Sequence, residues 1–365
     1  MIHGHGDDAY QYDDIRMDFS SNIYSHADLS ALKEHLRRHL DLIGHYPEPE
    51  AATLEREIAR ARGVPAACVI VTNGATDAIY LIAQSLGQGP GLPLPPSQGG
   101  GTLTTVRGRM RFAVRRPTFC EYADACRMYG LEEEAFGSEY GIILEEKDAG
   151  AKESRLHTAL WLCNPNNPTG DVLPPDDVLR LATAYGWLIL DQSYEDYTAA
   201  PLLSPAEAIR HGRIIQLFSM TKTYAVPGLR IGYIIAAPPV AATLRSYLRP
   251  WSVNALAIEA GRWLIGHDRK AIGDKAAYLA EAQRLREALT AIRGIEVQPT
   301  STNFMLCRVN QSTSAELKAH LAERHHILIR DASNFEGLGP HYFRVAAQTP
   351  EENDQLAAAI KEWMA

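Results

Sequence analysis

The segment Ser219-Met220-Thr221-Lys222-Thr223-Tyr224-Ala225-Val226-Pro227-Gly228-Leu229-Arg230 holds the residues best suited to chemistry. It follows an apolar run, Ile214 to Phe218, that reads as a buried strand, and it leads into another, Ile231 to Ala236. A lysine so close to strand ends is expected low in a cleft. Burial disfavours its ammonium form and brings its pKa down. The neutral amine is the form that attacks an aldehyde and makes a Schiff base. Ser219 and Thr221 set hydroxyls beside Lys222, and Arg230 adds a planar fork suited to a phosphate. For a lone strand-end lysine, a surface ion pair is the plain alternative, and partners elsewhere in the chain have to decide.

Those partners stand at other strand ends. Val69-Ile70-Val71-Thr72-Asn73-Gly74-Ala75-Thr76-Asp77 reads as strand, glycine turn and helix start. The free amides and dipole of such a helix start suit a phosphate, and Thr76 can add a hydroxyl. A glycine that only makes the turn is the alternative. Ala159 to Cys163 leads into Asn164-Pro165-Asn166-Asn167-Pro168-Thr169-Gly170, an irregular loop at a strand end, where open α/β sheets bind ligands. Asn167 can donate to a ring hydroxyl. Trp187 to Leu190 ends in Asp191, an acid that is costly to bury unless something pairs with it. A protonated pyridine nitrogen would pair with it, and Tyr194 can reach the phenolic oxygen of the same ring. A helix cap or a metal ligand is the alternative for Asp191. Phe119 is placed to lie on a ring or to pack in a core. Amine, hydroxyls, guanidinium and acid together suit pyridoxal phosphate.

The elements that must position these groups are those of an α/β chain. The 365 residues allow one large and one small domain, with 46% hydrophobic and 22% charged residues. No apolar run reaches the roughly 18 residues of a bilayer span, and Met1-Ile2-His3-Gly4-His5-Gly6 is no signal peptide. A net charge of −8 without a long basic block argues against nucleic acid. Five scattered cysteines suit a reducing cytoplasm and show no metal spacing, so no metal site is expected. Ser30 is read as the cap of a helix from Ala31. Gly87 to Gly101 is too rich in glycine and proline for a regular element and reads as a surface insertion, taken as about 87–111. After Gly294 the chain reads as a smaller α+β unit. There Arg330 and Arg344 sit on apolar strands, each needing an anion: a bound carboxylate or phosphate, or a structural ion pair. The domains are drawn at 1–45 (arm and part of the small domain), 46–250 (large domain) and 251–365 (linking helix and small domain).

Asn164 to Gly170, Asp191 with Tyr194, and Ser219 to Arg230 stand in the order seen in fold-type-I pyridoxal-phosphate enzymes. The chain resembles the class I/II aminotransferases over nearly its whole length. Within them it is similar to threonine-phosphate decarboxylases of cobalamin synthesis and to histidinol-phosphate aminotransferases. The decarboxylase likeness rests on Asp18 to Ile23, Pro250 to Ala257, Ile327 to Arg330, Asn334 to Leu338 and Tyr342 to Ala346.

The resemblance implies a mostly parallel sheet of the seven-stranded type, sandwiched by helices, plus a small α+β domain. It implies that Lys222 forms the Schiff base, Asp191 meets the pyridinium, and Asn167 and Tyr194 contact the ring oxygen. Gly74, Ala75, Thr76, Ser219, Thr221 and Arg230 become the phosphate cup, and Phe119 the stacking residue. Tyr46 resembles the tyrosine that reaches a partner subunit's phosphate, which implies a homodimer. Arg330, Arg344 and Asn22 are the expected substrate contacts. A small phosphorylated amine is decarboxylated or transaminated; a non-catalytic cofactor binder is the third reading. Tyr24-Ser25-His26 and Gln192-Ser193 depart from the family pattern, as does the insertion.

Overall fold

The computed structural model describes residues 8–12, 14–88, 92–94, 104–105, 110–134, 155–267 and 270–365. His3, His5, Arg107, Arg109 and most of the expected insertion lie outside them. Two described pieces of that insertion, Pro93–Leu94 and Thr104–Thr105, pair antiparallel, against the expectation of no regular element. A ladder that short needs only two residues on each side.

Seven strands form the main sheet: β1 (Val69–Thr72), β2 (Arg111–Val114), β3 (Glu132–Glu133), β4 (Thr158–Cys163), β5 (Trp187–Asp191), β6 (Ile214–Ser219) and β7 (Gly232–Ile235). Their order is β1-β7-β6-β5-β4-β2-β3. Only β7 runs antiparallel to its neighbours. β4, β5 and β6 are buried at every position, which is why they read as unbroken apolar runs. Alternate residues serve opposite faces. Leu160, Leu162, Leu188 and Leu190 pack in one cluster, and Trp161, Ile189 and Ile215 in another. Because β4, β5 and β6 are parallel neighbours, their C-terminal ends lie on one edge.

A second sheet, antiparallel throughout, has the order β8-β9-β11-β10, with β8 (Ile295–Val297), β9 (Phe304–Val309), β10 (Arg330–Asp331) and β11 (Tyr342–Ala346). The run His326 to Arg330, expected as one strand, is divided. Ile327–Leu328 pairs in parallel with Met17–Asp18 of the N-terminal arm, and only Arg330–Asp331 joins the second sheet. The arm continues this contact: Phe19 is fully buried, and its carbonyl accepts from the Ala346 amide at 3.0 Å.

Four helices matter below: α1 (Ser30–Arg38), α2 (Ala52–Arg62), α3 (Ala75–Gly87) and α4 (Glu121–Met128). α1 starts one residue earlier than expected. Ser30 is its first residue and donates its amide to Asp28 Oδ1 at 2.9 Å; the cap position falls on Leu29, which offers no side-chain bond. A fifth helix, α5 (Ala255–His267), runs against α1 and α2.

The loop after β4 is built by its own side chains. Asn164 bonds both ways with the Leu173 backbone, at 3.0 and 2.8 Å. Asn166 donates to Thr169 and to the Pro117 carbonyl and accepts from Thr118 at 2.8 Å. Gly170 closes the loop at φ +73°, where a Cβ would sit 2.0 Å from Thr300 Oγ1 and 2.9 Å from the Phe304 carbonyl. It is the point at which this loop docks on the second sheet. Gly170→Ala therefore costs about 2–4 kcal/mol, from strain and overpacking together. Urea unfolding checks this, and an unchanged midpoint would rule out the docking role.

Candidate active site

One cavity opens at the shared strand edge. Ala75, Thr76, Phe119, Asn167, Asp191, Tyr194, Ser219, Thr221, Lys222 and Arg230 all line it. Residues separated by up to half the chain are brought together because each follows or ends a strand of the same sheet. Asp191 is the last residue of β5, and Ser219 the last of β6. Lys222 follows in a short helical turn, Met220–Thr223, whose carbonyl at Lys222 accepts from the Tyr197 hydroxyl at 2.9 Å.

The cavity is polarised. At one end Gly74, at φ +88°, starts α3 and leaves the first-turn amides without intrahelical partners. A Cβ on Gly74 would lie 2.7 Å from an Arg230 nitrogen, so glycine lets that guanidinium cross the helix start. Gly232 performs a similar service on β7, where a Cβ would meet the Ala75 amide nitrogen at 2.8 Å. No carboxylate among the described residues lies within 4.0 Å of Arg230; its one hydrogen bond goes to the Pro227 carbonyl at 3.2 Å. Thr221 Oγ1 is buried and has no partner. Helix dipole, guanidinium and orphan hydroxyl make this end a seat for an anion.

The other end is acidic. Asp191 is 5% exposed and accepts from the Tyr122 hydroxyl at 2.7 Å and the Ser193 amide at 2.8 Å. Burial raises its pKa above the usual carboxylate value, and the bonds from Ser193 and Tyr122 oppose that rise. Tyr194 and Asn167 stand between the two ends. Burial pushes the Tyr194 hydroxyl up to about 12, which keeps it protonated and able to donate. The Lys222 amine lies 5.8 Å from the Tyr194 ring centre. Phe119 meets the Tyr122 ring edge to face at 5.7 Å.

The expected substrate contacts sit on the second sheet. Arg330 and Arg344 are direct cross-strand partners on β10 and β11, 7% and 5% exposed. Arg344 donates to Asn167 Oδ1 and, at 2.5 Å, to the Ser20 carbonyl. Arg330 donates to the Asp331 carbonyl at 2.6 Å and to Asn334 Oδ1 at 2.7 Å. Neither has a carboxylate partner within 4.0 Å among the described residues. Burial lowers both pKa values, and for Arg344 burial, joined by the neighbouring Arg330 charge, brings it to about 10. Arg344 Nε has no partner. Asn22 lies beside Tyr194, fully enclosed, with neither amide atom in a well-formed bond. Tyr46 is not in the cavity: it is 85% exposed, with its ring 5.3 Å from that of Trp251.

Tyr122, Cys163 and Ser193 also line the cavity and escaped the sequence reading. For Tyr122 a signal existed: it falls three residues after Phe119, in the first turn of α4. The departure at Gln192 has a local cause. Gln216, the polar residue inside β6, donates to Gln192 Oε1 at 2.6 Å, and both amide nitrogens donate to the Leu203 carbonyl, at 3.0 and 3.3 Å, so Gln192 gives the buried Gln216 amide an acceptor.

The cavity fits a flat ring with a phosphate at one end and a basic nitrogen at the other. The model of the aminotransferase class I and II family matches residues 14–360. The threonine-phosphate decarboxylase of Salmonella typhimurium is 30% identical over 95% of this chain and 91% of its own. The histidinol-phosphate aminotransferase of Caldanaerobacter subterraneus is 28% identical, over 87% and 84%. The crystal structure of L-threonine-O-3-phosphate decarboxylase from Porphyromonas gingivalis superposes with a TM-score of 0.84 at 34% identity, covering 96% of this chain and 99% of that one.

The raised pKa of Asp191 has a consequence for stability. Without a ligand, its ionised form is penalised at neutral pH, and the penalty fades as pH falls through the raised value. Asp191→Asn in cofactor-free protein is expected to gain stability at pH 8, with the gain shrinking as the solution is acidified. Denaturant titrations across that range check it; a loss of stability at pH 8 would contradict it.

Proposed function

The chain belongs to the aminotransferase class I and II family, and from that premise we propose that it is a pyridoxal-phosphate enzyme that decarboxylates a small phosphorylated amino acid of the threonine-phosphate type. The cofactor supplies an electron sink beside the substrate Cα. Asp191 would meet its ring nitrogen, Asn167 and Tyr194 its ring oxygen, and Phe119 its face. The α3 amides at Ala75 and Thr76, with Gly74, Ser219, Thr221 and Arg230, would hold its phosphate, and Lys222 its aldehyde carbon.

The observation that carries the substrate reading is the adjacent pair Arg330 and Arg344, buried and without carboxylate partners. Two unanswered guanidiniums suit a substrate with two anionic groups, and threonine phosphate has a carboxylate and a phosphate. Histidinol phosphate has only the phosphate. Asn22, anchored by the arm, joins them as a polar contact. With the cofactor supplying the electron sink, a substrate held by these groups would lose its carboxylate as carbon dioxide, and the Lys222 side chain would return a proton to Cα. If the Lys222 amine instead took the Cα proton, transamination would follow. The histidinol-phosphate aminotransferase relative keeps this second reading in view.

We also propose a cytoplasmic homodimer. All five cysteines are free thiols, which supports a reducing compartment. The exposed Tyr46 ring, beside the half-exposed Trp251, supports a partner-facing role at the neighbouring subunit's phosphate seat. No helix among the described residues is long and apolar enough to cross a membrane.

The reconstituted protein should release carbon dioxide from threonine phosphate without 2-oxoglutarate. Turnover of histidinol phosphate that requires 2-oxoglutarate and forms glutamate would shift the reading to transamination, and cofactor binding with no turnover of either amine would make it a binder. Lys222→Ala should lose the visible absorbance of the linked cofactor and turnover by a factor on the order of a thousand or more. Arg344→Gln should lower kcat/KM about thirtyfold, the roughly 2 kcal/mol expected for breaking a buried charged contact.

A further inference from the structure

Away from the cavity, α1 and α5 bring together three side chains that the function above does not use. His35 lies in the last turns of α1 and His39 is the residue that ends it, four positions on, and Glu259 faces them from α5. The sequence gives no hint of this, because Glu259 is 224 positions beyond His35. One ligand atom of each lies within 4.8 Å of the others. His35 Nε2 is 2.8 Å from Glu259 Oε1, and His39 Nε2 is 3.9 Å from the same oxygen. The imidazole rings are 4.2 Å apart.

A plain His35–Glu259 hydrogen bond explains two of the three groups. It does not explain His39. His39 Nδ1 is 2.8 Å from the His35 carbonyl oxygen, which can only accept, so Nδ1 carries the hydrogen. In the neutral ring Nε2 is then a bare lone pair turned toward a carboxylate oxygen, too far away for a hydrogen bond. Two electron-rich atoms held in that relation leave a place that a cation between them would fill. Histidine ligands of metals are commonly held this way, with the second ring nitrogen on a backbone carbonyl. The carboxylate is oriented as well: Arg262 reaches Glu259 Oε2 at 3.4 Å and Glu57 at 3.0 Å, which leaves Oε1 turned to the histidines.

We propose that His35 Nε2, His39 Nε2 and Glu259 Oε1 bind a divalent transition-metal ion, zinc being the best match, with water in the fourth position. Bonds of about 2.0–2.1 Å in a tetrahedron set neighbouring donors about 3.3 Å apart. The separations of 2.8 and 3.9 Å straddle that value and need only small rotamer adjustments. Two imidazoles and one carboxylate favour zinc over calcium or magnesium, which prefer all-oxygen shells. The ion would clip α1 to α5 and so secure the segment leading to Tyr46.

The test uses holoenzyme freed of metal with a chelator and then titrated with zinc alone. Calorimetry should show one ion per chain at micromolar or tighter affinity, and zinc should raise the thermal midpoint. Cobalt(II) in its place should give the visible bands of a four-coordinate site. His39→Ala and Glu259→Gln should each weaken binding about tenfold or more and abolish the thermal shift, while His325→Ala changes neither. His39 is 40% exposed at its side chain, so its removal leaves folding intact. No zinc uptake by the wild type would overturn the proposal. So would zinc binding unchanged in His39→Ala and Glu259→Gln, or binding lost only when His3 and His5 are replaced.

Discussion

A carboxylate at the end of a strand enclosed on both faces has to be answered by something, and Asp191 is that carboxylate. β5 lies between two parallel neighbours, so solvent reaches its end only through the cavity. The Tyr122 hydroxyl and the Ser193 amide supply two donors, yet burial still holds the pKa above the usual range. Across the cavity the signs are reversed: helix dipole, Arg230 and the Thr221 hydroxyl all await negative charge. A dipolar ligand of the right length answers both ends at once. Their separation across the cavity prevents the two charges from neutralising each other directly.

The second sheet is tied to this polarised cavity by few bonds. Arg344 joins three regions, since it donates to Asn167 of the loop after β4 and to Ser20 of the arm from its place on β11. The arm is held to the second sheet by the pairing of Met17–Asp18 with Ile327–Leu328. Further on, the Tyr24 amide donates to the Tyr197 hydroxyl at 3.4 Å, and that hydroxyl donates to the Lys222 carbonyl. Arg344 and Lys222 are thus both tied to the N-terminal arm. The unusual Tyr24-Ser25-His26 segment adds to this clasp: Ser25 bonds Gln348 at 2.8 Å, and His26 meets Glu352 at 2.7 Å.

Much of the site was legible because chemistry at the edge of a parallel sheet depends on local order. Each strand is an apolar run, and the residue that ends it must lie at the edge; this places Asp191, Ser219 and Lys222 without knowledge of any contact. The divided roles within Asn164-Pro165-Asn166-Asn167 were not legible. Three asparagines look alike in sequence, and only the packed loop shows Asn164 and Asn166 consumed by backbone and threonine partners while Asn167 lines the cavity. Tyr122 was missed because its value lies in a bond to a residue 69 positions away. The Ser30 cap was misjudged because the helix begins at Ser30 itself, whose amide is taken by Asp28 two residues earlier.

The amino-acid order by itself determined the kind of chemistry, because residue types and strand periodicity are local properties. Lysine, acid, hydroxyls and arginine stand at predictable strand ends, and their set admits few cofactors. The tertiary structure alone decided which charges are left unanswered. Arg330 and Arg344 could have closed structural ion pairs; whether they do depends on the register of β10 with β11 and on which carboxylates the folded chain brings near. The same holds for His35, His39 and Glu259, whose meeting is a product of helix packing. Charge compensation is a long-range property of the packed chain, and no window of sequence contains it.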